Sequence, residues 1–166
     1  MTTGPAVSVD EYLDTSYEPR CEYVNGALVS KAMGTKKHGK IQRRLVRLIE
    51  DAFPNYQPTP EQTVRISEYR TPDVTVEFSA ESQDPYPITP VHLCIEIISP
   101  GDRVSETLKK CEIYHEWGVP HTWIIDPQTR RAWQYAKGSK PVEIAQVSEL
   151  TAGEIHLSLA EIFAVL

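Results

Sequence analysis

Ile41, Leu45, Leu48, Ile49 and Ala52 recur at the i, i+4, i+7, i+8, i+11 spacing of one helical face. This pattern predicts a core-facing helix over residues 36–53, ended by Pro54, with Pro58 and Pro60 in an extended stretch beyond it. At about 100° per residue, Lys36, Lys40, Arg43 and Arg47 gather in a narrow sector on the opposite side. Three strands are then expected: Val74–Phe78, which alternates, Val91–Ile98, which is almost continuously apolar, and His121–Ile125, closed by Asp126-Pro127. Between the last two, residues 105–117 have helical composition and stop at Gly118, a fitting C-terminal cap. A buried strand, a helix and a second buried strand imply a right-handed crossover with parallel pairing.

Shorter signals fill in the flanks. Ser8-Val-Asp-Glu11 has capping-box spacing and should open a short helix. Asn25-Gly26 between two apolar stretches predicts a hairpin, because both residues tolerate positive φ. Residues 130–135 and 141–147 read as further antiparallel edge strands. The expected fold is mixed α/β, with α+β character at its edges: a central mixed sheet flanked by helices.

At 166 residues, the chain fits a single domain, 1–166. Within it, 1–34 supply the first helix and hairpin, 35–127 the core, and 128–166 the edge strands and C-terminal segment. With 40% hydrophobic and 24% charged residues, the chain is neither disordered nor membranous in composition. No apolar run approaches the ~20 residues of a membrane helix, and Met1–Ala6 lack signal-peptide character. Cys21, Cys94 and Cys111 form no C-x-x-C pair, so a reduced, cytoplasmic setting is expected. A net charge of −6 disfavours a simple nucleic-acid coat protein, yet permits an enzyme with clustered acids and a local basic strip.

Glu96 is the most telling residue. It lies inside Cys94-Ile-Glu-Ile-Ile98, where a buried carboxylate needs a cation, a metal or a proton. The plain alternative is a structural ion pair with Arg103 or a nearby lysine. Asp73 opens the preceding strand, just after Pro72. Two carboxylates at matching ends of adjacent strands make a hard-oxygen site suited to Mg2+, with Mn2+ a possible substitute. Lys110, on the helix that follows Glu96, can reach back over that strand end to position water or offset phosphate charge. His92, His115, His121 and His156 have no zinc-site spacing.

Taken in order, Arg70-Thr-Pro-Asp73, Glu96-Ile-Ile-Ser-Pro100, Lys110 with Tyr114, Gly118-Val119 and Trp123-Ile-Ile-Asp-Pro127 resemble the Uma-two family of endonucleases. That family is a branch of the PD-(D/E)XK nuclease superfamily. Glu22-Tyr-Val-Asn-Gly26 and His38 also match its pattern, so the resemblance runs from residue 8 to residue 166. It implies a restriction-endonuclease-like core in which Asp73, Glu96 and the backbone carbonyl of Ile97 bind a divalent metal. It also implies catalytic roles for Lys110, Glu22 and His38. The superfamily lysine follows the second acid by two positions, and here that place holds Ile98. Lys110 then stands as the replacement that has migrated to the helix.

The expected activity is metal-dependent hydrolysis of DNA phosphodiester bonds, and the superfamily resemblance implies that cleavage leaves a 5′-phosphate. Lys36, Lys40, Arg43 and Arg47 are expected to contact DNA phosphates, although a solvated helix face explains them as well. A homodimer would match two cuts on a duplex. The rivals are a nuclease-fold binding or assembly module that no longer cuts, and a hydrolase of a smaller phosphoester.

Overall fold

A computed structural model describes residues 6–79 and 84–166. Met1–Pro5, the start of the stretch scanned for a signal peptide, lie outside the described residues. The chain begins with helix α1 (Val9–Asp14), whose Ser8 side chain accepts from the Glu11 amide, as the capping spacing predicts. Strands β1 (Cys21–Val24) and β2 (Ala27–Ser30) form the expected hairpin, with Asn25 at φ 50 and Gly26 at φ 79 in the turn. Helix α2 (Lys36–Ala52) follows, capped by Thr35.

Strands β3 (Tyr56–Pro60), β4 (Val64–Arg65), β5 (Tyr69–Arg70), β6 (Val74–Phe78) and β7 (Leu93–Ile97) come next. Helix α3 (Val104–Trp117) leads into β8 (His121–Asp126), β9 (Arg131–Ala136) and β10 (Val142–Glu143). The chain ends with the hairpin β11 (Glu149–Ala152) and β12 (Ile155–Ser158), then α4 (Leu159–Phe163). The main sheet has the order β10-β9-β8-β7-β6-β3. Only β7 and β8 pair in parallel, across the α3 crossover; the other neighbours are antiparallel. A smaller sheet, β2-β1-β5-β4, stands beside it. Pro58 and Pro60 are tolerated because β3 is an edge strand and needs no second ladder of amide donors.

The faces of β7 sort the core by period two. Leu93, Ile95 and Ile97 join Ile41, Leu45 and Ile49 of α2 in the larger apolar cluster, which Trp123, Leu150, Ile155 and Ile162 complete. Cys94 and Ile98 point the other way, into the clusters built with Tyr114 and Cys111 of α3. Glu96 shares that parity, so the strand aims it at α3. Some expectations need correcting. On α2, Leu48 is half-buried and Ala52 exposed, while His38 takes a buried place at the start of the stripe. Of residues 141–147 only Val142–Glu143 pair as a strand, and the paired part of residues 91–98 is Leu93–Ile97. The β11–β12 hairpin, α4 and the short strands β4 and β5 were not anticipated. Among the described residues, no helix is long and apolar enough to cross a membrane.

Candidate active site

Antiparallel register puts Val74 opposite Ile95, so Asp73 and Glu96 face each other across the β6–β7 ladder at one end of the main sheet. Both are buried. They line a cavity of about 360 Å³ together with Glu22, Lys31, His38 and Lys110. All five residues expected to be catalytic therefore meet in one place, drawn from β1, α2, β7, α3 and the residue just before β6.

Asp73 is held on both oxygens. The Ile97 amide donates to Oδ2 at 2.7 Å, and His38 Nε2 lies 3.3 Å from the same atom. Lys31 Nζ is 3.1 Å from Oδ1. Burial alone would raise the pKa of this carboxyl, but the His38 contact, the Lys31 charge and the Ile97 amide outweigh it and hold Asp73 well below the ordinary aspartate range. His38 responds in kind. Its burial disfavours the imidazolium, but the adjacent Asp73 carboxylate overrides this and raises its pKa.

Glu96 behaves differently. The Tyr114 hydroxyl donates to Oε1 at 2.7 Å, and Lys110 Nζ sits 3.1 Å from that oxygen. Burial nevertheless raises the Glu96 pKa above the usual range; Lys110 opposes the shift and the nearby Asp73 charge adds to it. Lys110 also lies 2.8 Å from Glu22 Oε1, so one ammonium bridges two carboxylates. Glu22 takes the Thr71 amide at 2.8 Å and Arg70 Nη1 at 3.3 Å. These contacts outweigh its burial and lower its pKa. Lys109, by contrast, is exposed, although it borders the cavity.

The donor set fits a hard divalent ion. Two carboxylates face each other, one of them buried against its own ionisation, and a dication between them would relieve both burial and mutual repulsion. Among the described residues, no three His, Cys, Asp or Glu side chains converge as a ready-made metal cluster. The set is two carboxylates, to be completed by backbone carbonyls or water. Ile97, expected to lend its carbonyl, is the residue whose amide already grips Asp73.

The basic strip lies apart from the cavity. Lys36, Arg43 and Arg47 are exposed on the outer face of α2, while Lys40 donates to the Val165 carbonyl at 3.1 Å and is tied to the C-terminal segment. Sequence reasoning missed Lys31, Glu61 and Gln42. Lys31 contacts Glu61 Oε2 at 3.0 Å and the Thr71 carbonyl at 2.7 Å, and Gln42 donates to Glu61 Oε1 at 3.0 Å and to the Asp73 carbonyl at 2.8 Å. Their one visible signal is weak: Lys31 directly follows the hairpin that carries Glu22.

Residues 9–162 match the sequence model of the Uma2 family, described as "Putative restriction endonuclease". Among solved structures, the chain resembles the crystal structure of a "putative nuclease belonging to DUF820" from Anabaena variabilis. That similarity has a TM-score of 0.84 and 22% sequence identity, and covers 96% of this chain and 98% of the other. A comparison with curated proteins gives no match.

Proposed function

The chain belongs to the Uma2 family and has a restriction-endonuclease-like fold, and on that premise we propose that it is a metal-dependent endonuclease hydrolysing DNA phosphodiester bonds. The observation that carries this reading is the pairing of Asp73 and Glu96 across one strand ladder, with Lys110 beside them. Asp73, Glu96 and the Ile97 carbonyl would hold Mg2+, or Mn2+ in its place. When bound, the ion supplies water activation at neutral pH and polarisation of a phosphoryl oxygen. Lys110, fixed by Glu22 and Glu96, offsets the negative charge that develops at phosphorus. His38 holds the Asp73 carboxylate in its orientation. Lys36, Arg43 and Arg47 contact DNA phosphates, with Lys40 of the same strip held by the Val165 carbonyl, and a two-fold homodimer would place two sites on the two strands. We place this activity in the cytoplasm, in keeping with three free thiols.

Supercoiled plasmid incubated with MgCl2 or MnCl2 should be nicked or linearised, and EDTA or Asp73→Asn should stop the reaction. Cleavage that persists in EDTA, or in a folded Asp73→Asn variant, overturns the reading. The second reading, a binding module that no longer cuts, is favoured by the way Lys31 and Lys110 already neutralise the acids. DNA binding without any nicking, with either metal, would support it.

A further inference from the structure

Lys31 belongs to none of the motifs above, yet its side chain is only 14% exposed and its ammonium is caged by oxygen. Three N–H donors meet three acceptors: the Thr71 carbonyl at 2.7 Å, Glu61 Oε2 at 3.0 Å and Asp73 Oδ1 at 3.1 Å. Two carboxylates and a backbone carbonyl are the ligands a hard divalent cation prefers. The cage is braced independently of the lysine. Gln42 ties Glu61 to the Asp73 backbone, the Glu61 amide donates to the Asp73 carbonyl at 3.1 Å, and Arg20 Nη1 lies 3.3 Å from Glu61 Oε2. Lys31 borders both the main cavity and a neighbouring one of about 490 Å³, so small ions can reach it from either side.

Asp73 is the shared element. Its Oδ2 faces the Ile97 and His38 side, and its Oδ1 faces Lys31. A carboxylate that bridges two cation positions is the arrangement of two-metal phosphoryl-transfer sites.

We propose that the Lys31 ammonium stands where a second divalent ion would otherwise bind, caged by Asp73, Glu61 and the Thr71 carbonyl, so that this chain binds one metal ion instead of two. The proposal rests on the reading of Asp73 and Glu96 as ligands of the first ion. It assigns Lys31 a positioning role, because all three of its donors are engaged within the protein and none is left for a phosphate.

Stoichiometry tests it without recourse to activity. MnCl2 is titrated into the purified, metal-free full chain and free Mn2+ is followed by its paramagnetic resonance signal. The wild type should bind one ion, Lys31→Met two, and Lys31→Arg, which restores a cation, one again. Lys31→Gln carries the same expectation as Lys31→Met should the methionine variant fail to fold. Adding Glu61→Gln to Lys31→Met should return the count to one. Two ions in the wild type, or one ion in the wild type and again only one in the folded Lys31→Met or Lys31→Gln variant, overturn the proposal. No ion in the wild type but one in Lys31→Met would sink the Asp73–Glu96 reading and keep the cage; no ion in either would sink both.

Discussion

The two ends of the main sheet solve the burial of polar groups in opposite ways. At one end, Asp73, Glu96, Glu22, Lys31, Lys110 and His38 meet in one network of short polar contacts. At the other, His92 lies among the rings of Tyr56, Phe78 and His121, with centroids 5.0–5.2 Å away. There His92 Nε2 meets the Ala152 carbonyl at 3.0 Å. The contrast is clearest between two histidines. Burial disfavours the charged form of both. His38 has Asp73 beside it and its pKa rises, whereas for His121 burial is reinforced by its neighbours His92 and His115 and its pKa falls. The same desolvation is thus overridden at one end and left unopposed at the other, and what decides is a carboxylate about 3 Å away.

The largest expected effect breaks the ionic end at Lys110. Lys110→Ala should lower the rate of plasmid cleavage roughly 10²–10³-fold, the usual loss for one preorganised electrostatic group. Mn2+ binding should persist, because the lysine is not a ligand. Lys109→Ala, altering the exposed neighbour that makes no contact with Glu96, should change the rate far less. An inactive Lys109→Ala beside an active Lys110→Ala would show that the ion pairs of Lys110 are structural only.

The histidine contrast predicts opposite pH slopes. A raised native pKa means that His38 contributes stability fully below about pH 6.5, its unfolded value, and loses it as pH rises through the native value. A lowered native pKa means that His121 contributes above about pH 6.5 and loses its contribution as pH falls through the native value. Asp73 stays ionised in both states above about pH 5.5 and does not disturb this window. The Tm deficit of His38→Gln relative to wild type should therefore shrink from pH 5.5 to pH 8.5. For half-buried His121, His121→Gln should show a smaller deficit that grows over the same range. Parallel slopes for the two variants would refute the contrast.

How legible each end was in the sequence follows from the range of its contacts. Asp73 and Glu96 could be read because strand pairing alone aligns them, and strands announce themselves by alternation and apolar runs. Lys110 could be read over Lys109 only through the family resemblance: a helix sets the two about 100° apart, but the apolar pattern of α3 does not say which of them faces the strand. Lys31 and Glu61 could not. Lys31 reaches Asp73 across 42 residues and Glu61 across 30, through the packing of the small sheet against the large one, which no local period encodes. Glu61 also sits at φ 53, a conformation that glutamate gives no sequence warning of. The C-terminal hairpin was missed although Leu150, Ala152, Ile155 and Leu157 are its buried positions. Two four-residue strands interleaved with polar residues are too short for the pattern to stand out.

The smallest expected effect lies outside both ends, on the outer face of α2. The first turn of that helix holds no acid and carries Lys36 and Lys37, so two cations sit at the positive end of the helix dipole. That placement costs stability in the free protein, and an anion held there would offset it. Lys37 donates to Gln128, and Lys40 is engaged with Val165, which leaves Lys36, Arg43 and Arg47 exposed and, among the described residues, unpaired. Arg43→Ala with Arg47→Ala should therefore leave Tm nearly unchanged and weaken DNA binding only modestly. If both arginines meet phosphates, the log–log salt dependence of binding should become shallower by about 1.8, twice the value for one released counterion. Affinity measured with a catalytically blocked Asp73→Asn background at several salt concentrations reads this directly. An unchanged slope would return the strip to a solvated helix face and leave the cavity at the end of the sheet as the place where DNA must be held.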